Sequence, residues 1–296
     1  LVPLKECGFK SLHPHQNPGR FGVRDFLYPA NSRTERDTVF RLYRKEAVMS
    51  RTRKIYVARL VGRSLIFLLC TLACVFRRGV FTVLEGMNFF RTFSPLHLLW
   101  FVWVMDMILQ IFPIKNKVPL GSQKLFANRF RPIREKINYE ALKSYIVATT
   151  KAAYKVFLIW CALIAAIGVL HYAGVIDKIT LFMISVFFYV CDLICVLIWC
   201  PFRLIMKNRC CTTCRIFNWD HLMMFSPLIF MGGFFATSLV LMSIAAWLVW
   251  ELCVMMYPER FWDHSNVALQ CSQCTDKLCT QYCQKLRPAD RARTRE

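Results

Sequence analysis

Residues 222–257 are apolar almost throughout, and they are too many for one helix across a bilayer. As a single helix these 36 residues would reach about 54 Å, against a hydrocarbon core of about 30 Å. Pro227, Gly232 and Gly233 interrupt the run. Proline removes a backbone donor, and glycine accepts the dihedral angles of a tight turn. The run therefore reads either as a tight two-helix hairpin or as a short re-entrant piece followed by one span over 234–256.

The rest of the chain repeats the pattern of apolar runs parted by basic stretches. Residues 95–112, PLHLLWFVWVMDMILQIF, form a second segment that Pro113 ends. Residues 156–175 and 179–202 are joined through Asp177 and Lys178 and read as a transmembrane helical hairpin within 156–206. Residues 65–76 are nearly all apolar but number only 12, short of the roughly 17 that a span needs. Extending this segment backwards puts Arg59 and Arg63 at the lipid headgroups; left short, it is an interfacial or hairpin element. Asn138 ahead of YEALKSYIVATTKAAYK predicts a helix cap and an amphipathic helix leading into the membrane.

Composition supports this class. Of 296 residues, 56% are hydrophobic and 19% charged, more apolar and less charged than a soluble domain. The net charge of +21 sits mainly in 49–64, 114–155, 203–215 and 258–296. Lys and Arg placed between apolar runs mark cytoplasmic loops rather than a nucleic-acid face. All four basic regions share one side if 65–112 and 222–257 each cross an even number of times, with Arg77 and Arg78 the exception. The expectation is an all-α, polytopic integral membrane protein with about four to six transmembrane helices. It places the chain in the cell (inner or plasma) membrane, with the C-terminus cytoplasmic and anionic headgroups as partners of the basic loops. Residues 1–48 lack periodicity, and Met49 opens a short basic leader, so 1–48 is expected to be upstream sequence or a disordered tail.

Of the 15 cysteines, Cys7 lies in the 1–48 segment and the other 14 fall into two kinds of place. Cys70, Cys74, Cys161, Cys191, Cys195, Cys200 and Cys253 lie in apolar runs, where a thiol packs as a small apolar group. Cys210, Cys211 and Cys214 instead sit in the polar loop 207–221, RCCTTCR, and Cys271, Cys274, Cys279 and Cys283 in the tail, CSQCTDKLCTQYC. A CxxC turn brings two sulfurs toward one metal, and the sequence has two, one on each side of the run 222–257. A hairpin would bring both to one face; a single span would separate them. His221 follows Cys214 and completes a zinc-type donor set. The tail spacing is near the ferredoxin run C-x2-C-x2-C-x3-C-P, with two extra central residues and Gln284 in place of the proline.

An iron–sulfur cluster and zinc are thus both open as cofactors, and a disulfide or redox-active thiols stand beside them. The leading functional expectation is a membrane electron-transfer protein that meets a soluble redox partner at the cytoplasmic face. The second is a zinc-stabilised scaffold or assembly factor, and the third a transporter. Asp106, Asp192 and Glu251 lie at membrane depth, where carboxylates either bond between helices or line a proton path. His97 and His171 fall at one depth, as two interfacial histidines or as the axial pair of a b-type haem. Phosphate-loop, dinucleotide, zinc-protease and serine-hydrolase motifs are absent.

Overall fold

The computed structural model describes residues 51–112, 130–133, 137–206 and 214–270. The expectations for 1–48, for most of the basic loop between 113 and 136, and for six of the seven clustered cysteines lie outside them. Residues 50–296 form one compact unit, and among the described residues there is no β-strand beyond an isolated bridge between Pro132 and Asn266. The all-helical class is as expected. Four helices are long and apolar enough to cross a membrane: α1 (Arg51–Phe76), α3 (Tyr139–Tyr172), α4 (Lys178–Leu197) and α7 (Gly233–Met256). α2 (Leu96–Ile111) is equally apolar but shorter, and α5 (Phe202–Met206) and α6 (Asp220–Phe225) are short connectors.

Two boundaries follow from local chemistry. Asn138 caps α3, its Oδ1 accepting from the backbone N–H groups of Glu140 (3.1 Å) and Ala141 (3.2 Å), as its place in the sequence predicts. The amphipathic helix and the third apolar segment are one continuous helix of 34 residues. Asp177 caps α4 by accepting from the Thr180 backbone N–H at 2.8 Å. The first apolar segment is not short: α1 has 26 residues, and its helix begins well before Leu65.

Side-chain pairs set the directions of the helices. Phe67 meets Phe187 and Arg63 meets Asp192, so α1 and α4 run antiparallel. Trp100 donates to Ser238 and Trp250 to the carbonyl of Gln110, so α2 and α7 run parallel. Residues 215–230 fold as a broken arm: a 3₁₀ turn (Arg215–Trp219), α6, and a second 3₁₀ turn (Ser226–Phe230) that carries Pro227 near its start. Arg215 bonds Thr150, Trp160 bonds Ser226, and Gly168 backs onto Phe230. The arm thus follows α3 from Thr150 to Gly168, about 27 Å along its axis. It then reverses at Gly232 (φ +66°) and Gly233 (φ +77°), and α7 returns beside it. The span expected over 234–256 coincides with α7, while the residues of the run before it form the end of α6 and a 3₁₀ turn rather than a second long helix.

Among the described residues, α1, α2, α3, α4, the arm and α7 thus pack together, and four of them are long and apolar enough to cross a membrane. One end gathers the start of α1, the end of α7 and Cys214. The other holds the turns at Arg78–Leu84 and Asn88–Phe90, where the Phe234 N–H donates to the Gly86 carbonyl at 3.1 Å. The buried side chains form two main clusters. One includes Phe81, Trp103, Phe182, Phe225 and Phe235; the other includes Tyr56, Val156, Leu197, Cys214 and Trp219. Outward-facing positions stay apolar: Leu65, Leu69, Leu72 and Phe76 of α1 are all exposed. Apolar residues outside and charges inside are what a lipid solvent favours.

Candidate functional site

The two clusters meet at a layer of ionisable groups. On α1, Arg63 lies between Tyr56 of one cluster and Cys70 of the other. On α4, Asp192 lies between Tyr189 and Leu193, and on the broken arm His221 lies between Trp219 and Met224. Each of these elements carries one polar group to the seam between the two clusters, where burial makes an unpaired polar group costly.

The first pair in this layer is Arg63 with Asp192, Nη1 to Oδ2 at 2.7 Å, with both side chains at most 10% exposed. The same Nη1 donates to the Tyr189 carbonyl at 2.7 Å, and the guanidinium sits 3.9 Å from the centre of the Tyr189 ring. Arg63 therefore does not reach the headgroups. An ion pair formed with both groups bonded costs less than exposing either to lipid, so the arginine turns inward.

Beside it, His221 stands between two carboxylates. Its Nδ1 is 3.2 Å from Asp220 Oδ1, and its Nε2 is 3.1 Å from Asp106 Oδ2. Asp220 is firmly held, because it also accepts from the His221 backbone N–H at 2.9 Å and from Gln110 Nε2 at 3.4 Å. The His221 side chain is 2% exposed and that of Asp220 6%, whereas Asp106 keeps 22%. Both ring nitrogens of His221 thus face carboxylates.

The third pair lies at the end where α7 finishes. Glu251 accepts from Arg215 and, at 2.6 Å, from Trp219 Nε1, while Arg215 Nη1 donates to Thr150 Oγ1 at 2.6 Å. Asp106, Asp192 and Glu251 thus each meet a basic partner. Those partners, Arg63, His221 and Arg215, are the part that sequence reasoning missed or assigned elsewhere.

Of the expected metal ligands, Cys214 and His221 alone are described. Cys214 is 3% exposed and packs with Ile216, Phe217 and Trp219 in the cluster next to Glu251. Among the described residues, no three His, Cys, Asp or Glu side chains converge as a metal site. Cys210, Cys211, Cys271, Cys274, Cys279 and Cys283 lie outside them. His97 donates from Nε2 to the Phe89 carbonyl (2.8 Å), and its Nδ1 lies 2.9 Å from the Ser94 carbonyl oxygen and 3.1 Å from the Ser94 backbone nitrogen. His171 is bonded through Nδ1 to the carbonyl of Ile176, at 2.7 Å, in the turn before α4.

Compared with known protein families, curated proteins and solved structures, the chain matches none.

Proposed function

We propose that the chain is an integral membrane protein that transfers electrons through an iron–sulfur cluster at its basic, cytoplasmic end. The ligands are four of the thiolates of Cys210, Cys211, Cys214, Cys271, Cys274, Cys279 and Cys283. One observation carries the reading. The Glu251 carboxylate, five residues before α7 ends, bonds Arg215 and Trp219, immediately beyond Cys214. Cys214 and Arg215 thus lie at the end of the bundle where α7 finishes, which supports a centre shared by the loop and tail thiolates. The donor set fits: thiolates are the usual ligands of such clusters, and neighbouring Lys and Arg offset their charge.

The cluster would exchange single electrons with a soluble partner docking on the basic face, and anionic lipids would hold the basic loops at the cell membrane. The same thiolates suit zinc, which would make loop and tail a rigid docking platform without redox chemistry. Anaerobic purification followed by iron, acid-labile sulfide and zinc analysis, with a visible spectrum, separates the two. Stoichiometric iron and sulfide with visible absorbance supports the proposal; zinc alone moves it to the scaffold reading. Absence of all three overturns both.

A further inference from the structure

We propose that Asp106, His221 and Asp220 form an intramembrane proton-binding site, with the exchangeable proton on the edge between His221 Nε2 and Asp106. This inference does not depend on the metal centre.

The argument begins with donor counting. A neutral imidazole has one N–H and one bare nitrogen. It can donate to Asp220 or to Asp106, but not to both. Its bare nitrogen would then face the lone pairs of an ionised carboxylate at 3.1–3.2 Å, a repulsive contact. Both contacts become hydrogen bonds only when the trio holds one further proton. Either the ring is an imidazolium between two carboxylates, or a protonated carboxyl donates to it.

The surroundings choose the edge. Asp220 accepts from a backbone N–H and from Gln110 as well as from His221 Nδ1, which favours its ionised form and fixes the ring's Nδ1–H toward it. Among the described residues, His221 Nε2 is the one hydrogen-bond donor to Asp106, and Asp106 is also the member of the trio with appreciable exposure. A proton arriving at or leaving the trio passes through that carboxylate.

The nearby charges make discharge consequential. α1 contributes Arg63, α4 contributes Tyr189 and Asp192, and the arm and α7 contribute the Arg215/Glu251 pair. Arg63 is spent on Asp192, and Arg215 on Glu251. Loss of the shared proton would leave Asp106 and Asp220 both ionised against a neutral ring, with every neighbouring cation already paired. Arg63, within electrostatic reach of Asp106 as well as Asp192, is the group positioned to respond.

A second observation extends the site into the bundle. Trp103 Nε1 and Ser185 Oγ are buried without a hydrogen-bond partner. Both residues are fully enclosed. Trp103 lies one turn before Asp106 on α2, and Ser185 one turn before Tyr189 on α4. The Trp103 ring packs 5.6 Å from Tyr189 and 5.1 Å from Phe225, whose ring is 6.0 Å from that of His221. A buried indole N–H and hydroxyl without partners are groups that an internal water can satisfy.

The test uses the full chain in lipid nanodiscs, with imidazole-¹⁵N histidine labelling and infrared spectra from about pH 5 to about pH 8. His221→Gln identifies the His221 signal by its loss. Wild type is expected to show the extra proton, as a doubly protonated His221 ring or as a carboxylic-acid band that Asp106→Asn removes. Asp106→Asn, which keeps shape and a hydrogen-bonding side chain, is expected to shift the His221 ring toward losing its second proton at lower pH. A singly protonated ring across the range, with no acid band, overturns the proposal. A ring titration unchanged by Asp106→Asn overturns the assignment of the edge. The circular dichroism of each variant checks that the helices persist.

Discussion

The Arg63 guanidinium and the Asp192 carboxylate meet 2.7 Å apart across α1 and α4, although 129 residues separate them in the chain. The pair holds the first helix of the bundle to the fourth at the depth where the two apolar clusters adjoin. Removing one partner leaves the other buried and uncompensated. Arg63→Met is expected to destabilise the bundle by about 3–5 kcal/mol. The double variant Arg63→Met/Asp192→Leu should recover much of that loss, because no charge is stranded. Thermal unfolding in a fixed detergent measures both; equal losses in the single and double variants would deny the pair its role.

Gly233 makes the closest backbone approach at the far end. A Cβ there would lie 2.9 Å from the Gly86 nitrogen, and φ is +77°. Neither the main chain of Gly86 nor the positive φ can give way cheaply, so Gly233→Ala is expected to cost about 1–3 kcal/mol or more. Gly168→Ala would press a Cβ to 2.5 Å from the Phe230 ring, but that ring ends a rotatable side chain. The smaller loss is expected there, read from the same unfolding curves.

Asp177 caps α4 in a turn outside the spanning helices. The Thr180 hydroxyl, and then the Thr180 backbone N–H, hold its carboxyl below the ordinary carboxylate range. Its contribution is complete above the unfolded value, about pH 4, and is lost as pH falls through the lower folded value. Asp177→Ala should cost about 0.5–2 kcal/mol at neutral pH, nearer the low end because the group is exposed. The difference from wild type should vanish in strong acid, as measured by unfolding against pH.

Glu251 ties the cysteine loop to α7 without being a metal ligand. Glu251→Ala releases Arg215 and Trp219, and is expected to lower metal content per chain while every cysteine remains. Asp177→Ala, at the other end of the bundle, should leave metal content unchanged. Elemental analysis of the two variants purified side by side distinguishes a local effect from general loss of fold.

The helical class, the cap at Asn138 and the turn at Gly232 and Gly233 were legible because each is written in neighbouring residues. Arg63 was not. Counting apolar residues from Leu65 made the arginine a headgroup ligand, and nothing local points to a carboxylate 129 positions away. His221 was drawn into the metal set by the cysteines beside it, whereas its partner Asp106 comes from α2, 115 positions earlier. Carboxylates in apolar runs signalled that bases had to exist. Which bases they were depended on helix packing, which periodicity does not encode. The broken arm was half visible: Pro227 marked the break, but its start at Arg215 lay under polar residues that looked like loop.

The central claim is that the cysteine loop and the cysteine tail stand on one side of the membrane. Protease tags inserted after Asn208 and after Glu296 test it, in sealed vesicles of both orientations. The account predicts that both tags are cut in inside-out vesicles and both protected in right-side-out vesicles. One tag cut in each orientation would contradict it, because the two groups of thiols would then face opposite compartments.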